Sequence, residues 1–192
     1  MIFTCAGQSP GVSTLVMIHL ANLVTNVDNI EMYGVMGRLP TPDQTLGSIM
    51  SGILEASMDS TTYVNGKHVH EKLGACIKEH TVPEPFGTVK MLSCPLNDSI
   101  LVPEAVRCNG VRTLFGLQMD ISPATFKIMA VLKPHKRKWV YRLLEKMTKK
   151  TLKDNYLIGL KEGFNPGGYM KVVVTGSKEI SALIKVEDNS VM

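Results

Sequence analysis

The sequence predicts an α+β fold in which a mixed, largely antiparallel sheet carries helices mainly on one face. Three observations predict it. Hairpin signals stand far apart, near residues 61–70 and 170–186. Apolar residues at helical spacing fill segments before and between them, and the strands follow one another as hairpins rather than through regular helical crossovers. With 192 residues, 44% hydrophobic and 20% charged, the chain can bury a substantial core and has a globular rather than a disordered composition.

Taken in order, Ile2–Ala6 reads as a short buried strand, Gly7–Gly11 as a turn, and Val12 to about Thr25 as a helix. Val12, Leu15, Val16, Ile18, Ala21 and Leu23 make its apolar stripe, and Pro10 precedes it where a missing N–H costs nothing. Ile30–Met36 alternates as a strand does. Pro40 and Pro42 make a loop of Gly37–Asp43, and Leu46–Ala56 is a second helix, weakened by Gly47 and Gly52. Thr61–Val64 and Lys67–His70 flank Asn65-Gly66, a pair suited to the positive φ angles of a type I′ turn. A loop with Pro83 and Pro85 leads to strands at Thr88–Ser93 and Val111–Met119. Ser122 caps a helix that Pro123 opens and Pro134 stops. Trp139–Leu152 forms the next helix, with Val140, Leu143, Leu144 and Met147 inward, and Met170–Thr175 with Ile180–Val186 closes the chain as a hairpin.

Cys5, Cys76, Cys94 and Cys108 are scattered without a C-x-x-C pair, as expected of reduced, buried thiols in a cytoplasmic protein. No basic residue precedes the apolar start, which Gly7 and Pro10 interrupt, so no signal peptide is expected. No apolar run approaches the ~20 residues that span a bilayer, and no membrane partner is expected. The net charge of +4 is mild. Its one dense cluster comprises Lys133, Lys136, Arg137, Lys138, Arg142, Lys146, Lys149, Lys150 and Lys153, with Trp139 and Tyr141 among them. Such a run, with its aromatic residues, can hold a phosphate backbone, and that stays a third reading of the stretch from Lys133 to Lys153. A solvated outer face of an amphipathic helix is the usual case, so nucleic acid is not the expected partner. His68 and His70 share one strand face and are followed by Cys76 and His80, yet the spacing matches no standard ligand pattern, and no metal is expected. G-x-G-x-x-G and P-loop signatures do not occur, so the chain by itself is expected to hold no dinucleotide.

Gly7-Gln8-Ser9-Pro10-Gly11 spells G-x-S-x-G between a strand and a helix, the setting of a hydrolase nucleophile elbow. An elbow takes one oxyanion donor from the N–H after the nucleophile, worth ~3 kcal/mol in the transition state. Pro10 has no N–H, and it holds Ser9 to extended conformations that an elbow does not use. The motif follows the first strand expected in this sequence, so no earlier strand-loop of it is expected to supply a second donor. What remains is a Gly-x-x-Pro-Gly turn feeding a helix, whose first N–H groups either meet a carboxylate or phosphate or simply start the helix.

Several segments, in order, resemble the saccharopine dehydrogenase family in the domain that follows its Rossmann unit. "AGQSPGVSTLVMIHLANLV" is similar to the family's A-G-x-x-P-G turn and helix, and "MGRLPTPD" to the G-G-L-P-x-P-E loop. "YVNGKHVH" is similar to the D-G-K hairpin, "VPEPFGTVKML" to the P-E-P-F/I-G segment before a strand, and "MKVVVTGSKEISALIKVED" to the G-x-x-D/E-G hairpin. The resemblance implies the C-terminal-domain type of fold found in Rossmann-linked dehydrogenases. It implies the substrate-binding and dimerisation part of an NAD(P)-dependent oxidoreductase acting on an amino-acid-type C–N bond. Residues 1–192 would be that single domain, excised or naturally separate, with NAD or NADP bound only alongside the Rossmann domain or a partner chain that carries it. A homodimer, a small amino-acid-like substrate and a cytoplasmic location go with it. Gly7, Ser9, Pro10 and Gly11 would line the substrate, and Arg38 would either clamp its carboxylate or face water. Some members carry aspartate where Ser9 stands and histidine where Thr14 stands, so acid–base chemistry at this turn has no titratable carrier here, and no catalytic residue is assigned. Asp43 takes the place of the loop's glutamate. The rival reading is a non-catalytic binding or assembly module of the same fold.

Overall fold

The computed structural model describes residues 11–37, 60–71, 75–94, 96–117, 132, 136–163 and 167–186. Three helices, α1 (Val12–Ala21), α2 (Asp98–Ala105) and α3 (Lys138–Glu162), accompany eight strands. The strands are β1 (Asn29–Met36), β2 (Ser60–Val64), β3 (Lys67–Glu71), β4 (Ile77–Val82), β5 (Gly87–Ser93), β6 (Gly110–Leu117), β7 (Gly168–Thr175) and β8 (Glu179–Val186). The expected α+β class with a mixed, largely antiparallel sheet is what the chain adopts. The expected strand at Ile2–Ala6, the helix at Leu46–Ala56 and the helix opened by Pro123 lie outside the described residues.

The sheet runs β3-β2-β6-β1-β7-β8, with β4 paired to β5 and β5 to the far end of β6. β1 runs parallel to β6 from Asn29↔Gly110 to Met36↔Leu117 and antiparallel to β7 over the same eight residues. The remaining described pairings are antiparallel. Because side chains alternate across a strand, β1 serves two cores. Ile30 and Met32 pack with Met17, Leu20 and Val24, with Val102 of α2, and with Val111, Met170, Val172 and Val174. Tyr33 and Val35 face the other way, into Val82, Val89 and Met91 of the β4–β5 hairpin, Leu114 and Tyr169. Helices α1 and α2 thus cover one face, and a hairpin folded over from the sheet's own strands covers part of the other.

The β2–β3 hairpin turns where expected: Asn65 and Gly66 have φ of 51° and 73°, the left-handed pair a type I′ turn requires. Four expectations are corrected. The loop expected before Thr88 contains strand β4, whose alternation is inverted: Lys78 and His80 are the more buried residues, while Ile77 is exposed. Only Pro83–Phe86 is turn, and the Glu84–Pro85 bond in it is cis. Helix α2 was not expected, since Pro103 sits inside it. The helix expected from Trp139 to Leu152 continues to Glu162. Helix α1 stops at Ala21, short of Thr25, and buries Ser13, Met17, Leu20 and Ala21, leaving Val12, Leu15 and Leu23 exposed. Its sequence is apolar almost all round, so spacing alone does not choose the inward face.

That choice is measurable. Met17→Ala, at a fully buried position, is expected to cost about 2–5 kcal/mol of unfolding free energy. Leu15→Ala, at a position 69% exposed, should stay within about 0.5 kcal/mol. Urea titration of the two variants checks this, and the reverse order would mean that α1 is rotated.

Candidate functional site

Of the residues expected to line a substrate, Gly11 alone is described; Gly7, Ser9, Pro10 and Arg38 lie outside the described residues. Gly11 has φ 141° and ψ −95°, backbone that a side chain rarely permits, and its carbonyl accepts the first helical hydrogen bond from the Leu15 N–H at 3.0 Å. No side chain caps α1 at this end. The first turn instead presents two hydroxyls to Asp98, a fully buried carboxylate at the start of α2. Ser13 Oγ donates to Asp98 Oδ1 at 2.7 Å and Thr14 Oγ1 donates to the same oxygen at 2.5 Å. Both helices point their N-terminal ends, and hence their partial positive charge, towards this carboxylate. Thr14 is therefore a half-buried structural donor, and an anion arriving at Gly11 would meet a helix end that already faces the Asp98 carboxyl group.

A second polar cluster lies on the opposite sheet face and was not expected. Glu31 and Tyr33 project from β1, Lys78 and His80 from β4, Arg112 from β6. Lys78 Nζ donates to Glu31 Oε1 at 2.5 Å, and the Tyr33 hydroxyl donates to Glu31 Oε2. The Tyr33 and His80 rings stack with centroids 4.2 Å apart, and Lys78 Nζ lies 6.0 Å from the Tyr33 centroid. Next to them Arg112 Nη2 pairs with Glu71 Oε1 at 3.7 Å, Ser93 Oγ donates to Glu71 Oε2 at 2.7 Å, and Arg112 Nη1 reaches Cys76 Sγ at 3.9 Å. His80 Nε2 and Arg112 Nε are buried and have no hydrogen-bond partner among the described residues.

The electrostatics of this cluster quench rather than activate it. Burial alone would push the Glu31 carboxyl up, but hydrogen bonds from Lys78 and Tyr33 and the charges of Lys78 and Arg112 together hold it below its ordinary range. Burial, then the hydrogen bond to Glu31, pushes the Tyr33 phenol far up, so it stays a donor. Burial, then the charges of Lys171 and Lys78, pushes the His80 imidazole down despite Glu31. A neutral histidine, a protonated phenol and a paired carboxylate tie the β4–β5 hairpin to β1; none is an activated nucleophile. The sequence signal was present in the two i, i+2 pairs Glu31/Tyr33 and Lys78/His80, each of which puts two polar groups on one strand face.

His68 and His70 stand opposite Tyr63 and Thr61 on β3, and His68 makes an edge contact with Tyr63 at 5.0 Å. Among the described residues no three His, Cys, Asp or Glu side chains gather into a metal-binding group. Cys76, Cys94 and Cys108 form no disulfide and are half-buried rather than buried as expected, and burial pushes the Cys108 thiol up. No described helix is long and apolar enough to cross a membrane. No protein-family model matches the chain, and no curated protein matches it.

Two outcomes check this geometry. Asp98→Ala leaves the buried Ser13 hydroxyl without its acceptor and should cost about 1–3 kcal/mol in urea titration, with Asp98→Asn, which keeps an acceptor oxygen, costing less. The pH dependence carries a second signature. An unfolded chain protonates His80 near its ordinary value of 6.5 and the folded chain only below that, so His80 favours folding above pH 6.5 and that contribution falls away as pH drops towards the folded value. Glu31 contributes above 4.5 and its contribution is lost as pH falls through its lower folded value. Midpoints measured against pH should lose the first decline in His80→Phe, which keeps the ring stack, and the second in Glu31→Gln.

Proposed function

We propose that this chain is the substrate-binding and dimerisation part of an NAD(P)-dependent oxidoreductase of the saccharopine dehydrogenase type, acting in the cytoplasm on an amino-acid-type C–N bond. One observation carries the reading. Helix α1, which follows the Gly-x-x-Pro-Gly sequence, contains no Lys, Arg, Asp or Glu and is apolar on nearly every side, yet Val12 and Leu15 on it, and Leu23 just past its end, are uncovered. A helix apolar all round is one that a protein buries. A second lobe or a second copy packed there would bring the turn into a cleft between two units, the place where a dinucleotide held by a Rossmann domain meets a substrate. The quoted segments agree in type with the resemblance. Among the described residues a helix begins directly after Gly11, Asn65-Gly66 turns a hairpin, the P-E-P-F segment precedes a strand, and the last segment is a hairpin.

The dinucleotide would come with the missing domain, and this chain's own part is to bind and orient. With Asp98 already at this helix end, Arg38 is the candidate partner for a substrate carboxylate, and the backbone at Gly11 would line the rest of the substrate.

The second reading, a binding or assembly module without chemistry, is favoured by the hydrogen bonds of Ser13 and Thr14. These hydroxyls are committed to Asp98, and no titratable side chain stands at Thr14 where some members of the family carry histidine.

Isotope-labelled protein titrated with saccharopine separates the two. The oxidoreductase reading expects amide shifts at Gly11–Thr14 with saccharopine and none with NADH or NADPH alone. Shifts with dinucleotide alone, or none with saccharopine at millimolar concentration, would overturn it.

A further inference from the structure

We propose that helix α3 docks on an anionic lipid surface. The proposal is independent of the oxidoreductase reading and rests on three rows of side chains that run along α3, each at i, i+4 spacing. Val140, Leu144, Thr148 and Leu152 are buried. One residue behind them, Trp139, Leu143 and Met147 are 61%, 46% and 49% exposed. One residue further behind, Lys138, Arg142, Lys146 and Lys150 are exposed throughout. Leu143 and Met147 were expected to face inward; instead an apolar row borders a cationic one on the open side of the helix.

Seven Lys and Arg residues against three Asp and Glu give α3 a charge of +4, equal to that of the whole chain. The other residues together are neutral, so the electrostatic attraction for an anionic partner is concentrated on this one helix. With 25 residues α3 extends about 37 Å. A second copy of the same helix would bring like charges together, which disfavours self-pairing along this face. A phosphate backbone would reward the cationic row and leave Trp139, Leu143 and Met147 in water. An anionic bilayer rewards both rows at once: the apolar row enters the headgroup boundary with its tryptophan, and the lysine stems reach out beside it to lipid phosphates and carboxylates. Such a helix lies along the surface and needs no membrane-spanning segment.

Trp139 is the sole tryptophan of the chain, so its emission reports on the apolar row directly. The full chain is mixed with vesicles of phosphatidylcholine alone or of phosphatidylcholine with phosphatidylserine. The expected result is cosedimentation and a blue shift of Trp139 with the serine-containing vesicles only, both weakening as salt is raised. Replacing the exposed Arg142, Lys146 and Lys150 together by Gln should lower the affinity about a hundredfold, at roughly fivefold per cation, with unchanged circular dichroism. Should that variant fold poorly, the salt dependence of the unmodified protein decides. The proposal is overturned by the absence of a vesicle response, by equal binding to both vesicle types, by binding to DNA or RNA with no response to vesicles, or by a concentration-dependent blue shift that needs no lipid.

Discussion

Strand β1 is the constraint on which the rest depends. It is hydrogen-bonded along both edges for all of its eight residues, to β6 in parallel and to β7 in antiparallel. Its even residues Ile30 and Met32 belong to the core under α1 and α2, and Tyr33 and Val35 to the core under the β4–β5 hairpin. A slip of one residue would exchange the two sets and drive Glu31 into the apolar helix-covered core. Register is therefore fixed from both faces at once. Gly34 adds to this, because a Cβ there would come within 2.9 Å of the Phe115 ring on β6. The Phe115 ring occupies the space that a side chain at residue 34 would need.

The two polar clusters relate to this strand differently. Glu31 and Tyr33 are part of β1 itself, and their bonds to Lys78 and stacking with His80 hold the β4–β5 hairpin down over the second core. Hairpin β4–β5 pairs with β6 through Leu92↔Phe115 and Ser93↔Leu114, a ladder too short by itself to fix its angle. Side chains finish what the backbone leaves open. Asp98 does the equivalent for α1. An apolar helix can turn about its axis at small cost, whereas two hydroxyls that must both reach one buried carboxylate admit a single rotation. Ser13 and Met17 face inward together because they are one helical turn apart, so the hydrogen bond and the packing select the same face.

Legibility in the sequence followed the same physics. Asn65-Gly66, the alternation of Ile30–Met36 and the closing hairpin were readable because local chemistry and tertiary demand agree there. Strand β4 was not, since its inward side carries Lys78 and His80 for the polar cluster and its outward side carries Ile77, the reverse of the pattern that identifies a half-buried strand. Pro103 hid α2 in the same way, by signalling a break where tertiary packing of Val102 keeps a helix. Of the expected substrate turn only Gly11 is described, and its positive φ accords with the glycine read there. Asp98 had no local signal at all: its partners lie more than eighty residues away, and only the fold brings them together.

The exposed apolar residues on and beside α1 and those on α3 differ in their surroundings. Val12 and Leu15 stand on α1, a helix without a single Lys, Arg, Asp or Glu, and Leu23 lies just past its end, so water is displaced there at no cost in charge desolvation and a protein surface is the fitting cover. Trp139, Leu143 and Met147 on α3 are bordered by cations, and covering them with ordinary protein would strip water from Arg142 and Lys146 unless acidic groups were supplied in register. A fluid anionic surface supplies such groups without register, because lipids move laterally to meet each cation. Charge distribution along the chain thus assigns different covers to two helices whose exposed apolar residues, taken alone, would look alike.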